Sequence, residues 1–122
     1  MTEISFQFEQ LIVYQKAITF SSAVYSITTS WPKEHLFGIT DQFRRASLSI
    51  SLNIAEGYSR TRKEFQHYLL ISRGSCYECI PIISMAKILG LLSEEHSQRY
   101  YNDLKELAKM LSALRTTLSS KP

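Results

Sequence analysis

The chain has 122 residues, of which 44% are hydrophobic and 20% charged, with four glycines, three prolines and a formal net charge of +3. That size suits one domain with a real core, and the balance excludes an intrinsically disordered or collagen-like chain. No stretch reaches the roughly 20 apolar residues that span a bilayer, and MTEISFQFEQ lacks the basic and apolar regions of a signal peptide, so a cytoplasmic protein is expected.

At the N-terminus Ile4-Ser-Phe6-Gln-Phe8 alternates apolar and polar residues, as a short arm or a helix lead-in would. The first helix is predicted over about residues 8–30, with Leu11, Tyr14, Ile18, Ser21 and Tyr25 on its inner face. Trp31-Pro32 ends it, because proline donates no hydrogen bond and forces its predecessor out of helical geometry.

The second helix is predicted over about 40–57, with Thr40 as N-cap, Asp41 in the first turn and Gly57 as a left-handed stop. Phe43, Ser47, Ile50 and Ile54 make one buried stripe, and Leu48, Leu52 and Ala55 a second. Apolar on two sides and thinned by serines, this helix should be central in the bundle or lie in a subunit contact.

Thr61-Arg-Lys-Glu64 matches a capping box and opens a third helix over about 62–89. Phe65, Leu69, Ser72, Cys76, Cys79 and Ile83 follow core spacing to a stop at Gly90. Gly74-Ser75 should permit a close backbone approach, and Pro81 should bend or split the helix. Ser93 with Glu94 and Glu95 starts the fourth helix, over about 94–118, whose Leu104, Leu107, Leu111, Leu114 and Leu118 form a heptad; the tail from Ser119 to Pro122 should fray. Four long helices with short connections predict an all-α, antiparallel up-down-up-down bundle occupying the whole chain, 1–122.

Bundles often hold metals, but a di-metal set needs two Glu-x-x-His motifs and further glutamates. Only Glu64-Phe-Gln-His67 occurs, and Glu64 is better placed as the capping partner of Thr61. Cys76-Tyr-Glu-Cys79 lies in mid-helix without a second ligand pair, so both thiols read as core residues. No nucleophile elbow or glycine-rich phosphate loop is present. The expectation is therefore a protein without catalytic residues, metal or cofactor.

Two sets of polar residues remain. Ser49, Asn53, Glu56, Arg73 and Glu78, in small or apolar surroundings, suggest a polar layer or oligomer contact, with salt bridges fixing helix register. Arg44, Arg45, Arg60, Arg62 and Lys63 with the ring of Tyr58 are the candidates for nucleic-acid contact. The two basic groups flank the second helix and stand about 27 Å apart at 1.5 Å per residue, so in one subunit they form no single patch.

Several strings together resemble a known family: Leu11-Ile-Val-Tyr-Gln-Lys-Ala17, Pro32-Lys-Glu, Gly38-Ile-Thr, Gln42-Phe-Arg-Arg-Ala46, Ser49-Ile50, Asn53-Ile-Ala-Glu-Gly57 and Arg73-Gly-Ser75. In this order, across residues 8–118, they look like the bacterial four-helix-bundle proteins called 23S rRNA intervening-sequence or S23 proteins. The resemblance implies small cytoplasmic bundles that assemble into pentameric, barrel-like rings, some encoded within insertions in 23S rRNA genes. The accessory variability proteins of diversity-generating retroelements are similar, and bind a reverse transcriptase and nucleic acid through basic surfaces. The resemblance thus points to a homo-oligomeric, RNA- or DNA-associated accessory protein, with a reverse transcriptase as partner if the gene lies in a retroelement. The alternative is a self-assembling protein scaffold whose basic residues only solubilise it.

Overall fold

The computed structural model describes residues 6–120 and shows four α-helices: α1 (Ile12–Thr28), α2 (Asp41–Tyr58), α3 (Arg62–Ile88) and α4 (Glu94–Ser119). Each helix packs against the next and α4 closes back on α1, giving the antiparallel up-down-up-down bundle that the pattern predicts. No helix among the described residues is long and apolar enough to cross a membrane.

Before α1 a 3-10 turn covers Gln7–Gln10, and Leu11 is extended (φ −70°, ψ 128°), so the first helix begins later than expected. Phe8 meets the rings of Tyr14 and Tyr58 edge-on, which makes this segment a packed lead-in; Ile4 and Ser5 of the proposed arm lie outside the described residues. The helix also stops earlier, at Thr28. There the hydroxyls of Thr28, Thr29 and Ser30 donate to the carbonyls of Val24, Tyr25 and Ile27, satisfying acceptors that another helical turn would use.

The face that α1 buries differs from the expected one. Ile18 is 39% and Tyr25 46% exposed, while Val13, Ala17, Phe20, Val24 and Thr28 are buried beside Ser21. Both sets obey helical spacing and differ by about one residue, or 100° of rotation. The small side chains Ala17 and Ser21 let α1 lie close on α2, where the Ser21 hydroxyl donates to the Ser47 carbonyl at 2.9 Å.

In α2 the stripe Phe43, Ser47, Ile50 and Ile54 is buried as expected. Leu48 and Ala55 of the second stripe are half-buried, and Leu52 faces out. Thr40 is not the N-cap: its backbone is already helical, its hydroxyl is buried without a partner, and α2 continues from a π turn at Leu36–Thr40 that kinks at Gly38. Nor is Gly57 a left-handed stop, since among the described residues only Gly90 has positive φ, at 76°. The role of Gly57 is proximity: a Cβ there would lie 2.5 Å from the Tyr68 Cβ, so α2 and α3 touch backbone-close at this point.

The capping box of α3 is formed. The Thr61 hydroxyl accepts from the Glu64 amide at 3.2 Å, and the Glu64 carboxylate accepts from the Thr61 amide at 3.1 Å. The Thr61 amide and the Thr61 hydroxyl, each donating to that carboxylate at 3.1 Å, hold the Glu64 carboxyl below its ordinary pKa. Thr61→Ala should therefore cost about 0.5–2 kcal/mol, read as a lower midpoint of urea unfolding; an unchanged midpoint would refute the box as a contributor. Pro81 does not split α3, which runs unbroken to Ile88. Gly74 is not a close approach, because nothing lies within 4 Å of the place a Cβ would take; the neighbouring Ser75 is the buried contact, 2.9 Å from the Ser49 hydroxyl.

Ser93 caps α4 by accepting from the His96 amide at 3.0 Å, with Glu94 and Glu95 in the first turn. Leu104, Leu107 and Leu111 are buried, and Leu114 and Leu118 pack partly against the core. Ser119 closes the helix, while Lys121 and Pro122 lie outside the described residues. Near one end, Phe20, Phe43, Trp31 and Tyr100 form an aromatic cluster; elsewhere the core is mostly aliphatic, with Cys76 and Cys79 inside it and Phe65 near the opposite end.

Candidate nucleic-acid interface

The basic residues expected to meet nucleic acid divide between the two ends of α2, and most are already engaged. Arg44 donates from Nε to the Thr28 hydroxyl at 2.8 Å and lies over the Tyr25 ring at 4.8 Å. It ties α1 to α2. Arg45 projects into solvent, 3.9 Å from Asp41 one turn away. At the opposite end Arg60 makes two hydrogen bonds to Glu56, at 2.6 and 2.9 Å, and covers the Tyr68 ring at 5.4 Å. These contacts raise its pKa, the Glu56 hydrogen bond most.

Arg62 reaches across to α4 and donates to the Leu118 carbonyl at 2.8 Å. A cation there satisfies a terminal acceptor and suits the negative end of the helix dipole. Tyr58 packs edge-on against Phe65 at 5.6 Å, as a lid on the bundle end. Lys63 is exposed and has no ion pair among the described residues. Of the six candidates, Arg45 and Lys63 are therefore the least committed within the fold.

The polar layer divides as well. Asn53 donates to the Ser49 carbonyl at 2.8 Å and hydroxyl at 3.0 Å, and Ser49 meets Ser75, which joins α2 to α3 by hydrogen bonds. The expected salt bridges among Glu56, Arg73 and Glu78 are absent among the described residues. Glu56 turns to Arg60, just past the end of α2, Glu78 faces solvent, and Arg73 donates to the Tyr77 hydroxyl at 2.9 Å with its guanidinium 4.9 Å from that ring's centre. Both Glu56 and Arg73 thus take a partner four residues along the chain.

His67 is exposed, and among the described residues no three His, Cys, Asp or Glu side chains converge as a metal set. Cys76 and Cys79 are both free and buried. Burial pushes the Cys76 thiol up to about 12 and that of Cys79 higher still, which suits inert core thiols rather than nucleophiles.

A concavity lies elsewhere, in a groove of about 640 Å³ between α3 and α4. Arg73, Tyr77 and Pro81 line it from α3, and Tyr101, Lys105 and Lys109 from α4. Sequence reasoning missed this group. A signal for it existed, since Arg73-Tyr77-Pro81 and Tyr101-Lys105-Lys109 each recur every fourth residue on one helical face. That the two faces meet is a fact of packing. A smaller crevice between α1 and α4 holds Lys16, Arg99, Asp103 and Glu106; desolvation raises the Asp103 carboxyl, and Lys16 pairs with Glu106 at 3.4 Å.

Fold and surface together define a small antiparallel four-helix bundle with mixed basic and aromatic outer faces. The chain belongs to the 23S rRNA-intervening sequence protein family, whose model matches residues 9–113. It is also similar to a solved structure from Bacteroides thetaiotaomicron, described as a protein with unknown function from the S23 ribosomal protein family. The two share 21% identity over 86% of this chain and 96% of the other, with a TM-score of 0.79, a likeness of fold. Comparison with curated proteins gives no match.

Proposed function

We propose that this protein is a self-associating helical bundle that accompanies nucleic acid, RNA first, and carries out no catalytic step of its own. The observation that carries the reading is uncompensated positive charge: Lys63, Arg73, Lys105 and Lys109 have no carboxylate partner among the described residues. Phosphate backbones bind such cations by releasing condensed counterions, whatever the base sequence. The printed name of the family, which refers to sequence intervening in 23S rRNA, adds support for RNA.

Self-association is supported by the outer face of α3. Leu70, Ile71, Met85 and Ile88 are exposed there, with Ile88 at 80%. Such an apolar stripe on a long helix usually meets a partner. The family resemblance makes a pentameric ring the first arrangement to test. Repetition of one weak site around a ring would multiply its avidity. The same apolar face favours a second reading, a protein-binding scaffold with no nucleic-acid role.

Light scattering coupled to size exclusion should give an oligomer, and a monomer across micromolar concentrations would remove self-association. Filter binding of structured and unstructured RNA should then show affinity that falls steeply between low and physiological salt. If neither RNA nor DNA is retained at low salt, the scaffold reading replaces this one.

A further inference from the structure

We propose that the groove between α3 and α4 holds single-stranded nucleic acid, with phosphates on its lysine rim and unpaired bases against its two tyrosines. The inference rests on the nucleic-acid reading above and assigns that reading a site and a strand type. On α4, Tyr101, Lys105 and Lys109 stand one above another on a single face. Along the axis each step is about 6 Å, near the distance between neighbouring phosphates of one strand. No carboxylate among the described residues lines the groove, and Arg73, Lys105 and Lys109 give it positive charge.

The walls are made for flat apolar rings. Tyr77 is 57% and Tyr101 46% exposed, and between them lie Ile80, Leu104 and Ala108. Unpaired bases stack on such rings without needing a particular sequence. Arg73 holds the Tyr77 ring in place, through a hydrogen bond to its hydroxyl and a guanidinium over its face. The Arg73 Nε–H is buried with no acceptor among the described residues.

A docked amphipathic helix is the rival occupant, but it needs an unbroken apolar trough for anchors at i, i+3, i+4 and i+7. Arg73, Lys105 and Lys109 interrupt this groove with charge at successive turns.

Fluorescence anisotropy of a labelled oligouridylate on the full chain tests the assignment, with the same strand annealed to its complement as control. The single strand should bind at least tenfold more tightly than the duplex. Lys105→Glu with Lys109→Glu should weaken binding more than tenfold and lower the slope of log affinity against log salt by about 0.7 per lysine. Tyr101→Leu should cost about tenfold while leaving that slope unchanged, and Tyr101→Phe should restore binding. Circular dichroism would confirm that each variant keeps its helices. If wild type binds the strand and these variants bind it equally well, the groove is not the site, although the nucleic-acid reading stands. Failure of the wild type to bind any nucleic acid at low salt removes both. Retention of a glutamate-rich peptide that the lysine variants lose, with oligouridylate binding unaffected, would make the groove a protein-docking site and overturn the proposal.

Discussion

Phe43→Ala is expected to cost the fold about 3–5 kcal/mol, the range for removing a fully buried aromatic ring. Phe43 is 0% exposed and sits where three parts of the chain converge. Trp31, from the loop after α1, stacks on it at 6.0 Å; Phe20 of α1 and Tyr100 of α4 meet it edge-on, each at 6.4 Å. Aromatic neighbours are stiff and collapse poorly into a void, so the cavity should persist and the cost should fall in the upper part of the range. Domains of this size are stable by only about 5–15 kcal/mol, so the variant should sit close to its unfolding threshold at 37 °C. Guanidinium unfolding at one fixed protein concentration would read the change, since self-association also shifts the midpoint. A loss below about 1 kcal/mol would mean that the aromatic cluster is not the centre of the core.

The second large effect is a contrast of sign between two glycines. Both lie inside helices, and in isolation each should gain up to about 1 kcal/mol on becoming alanine. Gly74→Ala should show that gain, because its Cβ would enter open space. Gly57→Ala should instead destabilise by about 1–3 kcal/mol, the usual cost of overpacking. Its Cβ would lie 2.5 Å from the Tyr68 Cβ and 2.9 Å from Phe65 Cδ1, where carbon atoms rest at about 3.5–4.0 Å. The Tyr68 Cβ is attached to the α3 backbone and cannot rotate away, so α2 and α3 must part by about 1 Å. Thermal unfolding of the two variants side by side would decide the matter: two shifts in the same direction would show that propensity, not proximity, governs Gly57.

The functional candidates changed most between sequence and structure. Arg44, Arg60 and Arg62 read as candidates for nucleic-acid contact because nothing in a linear pattern says where a guanidinium will find an acceptor. In the fold they find Thr28, Glu56 and the Leu118 carbonyl. The Leu118 contact spans 56 residues of chain, a separation that no local rule addresses. Conversely, Tyr77, Tyr101, Lys105 and Lys109 look like ordinary solvated positions until α3 and α4 are laid side by side.

What the sequence by itself determined were the features whose causes are local. The Thr61–Glu64 box, the Ser93 cap, the Gly90 stop and the leucine heptad depend on hydrogen bonds or spacings within a few residues, and all are present. The stripe of Phe43, Ser47, Ile50 and Ile54 was legible for the same reason, since its spacing is that of one helical face. Only the tertiary structure decided which face α1 buries, because Leu11-Tyr14-Ile18-Ser21-Tyr25 and Val13-Ala17-Phe20-Val24 fit the helical period equally well. Of the first set Ser21 is buried, donating to the Ser47 carbonyl of α2, while Ile18 and Tyr25 face out. The meaning of Gly57 was settled in the same way. Local chemistry permits a glycine to be a stop or a contact, and it is the neighbouring helix, arriving from elsewhere in the chain, that makes it a contact.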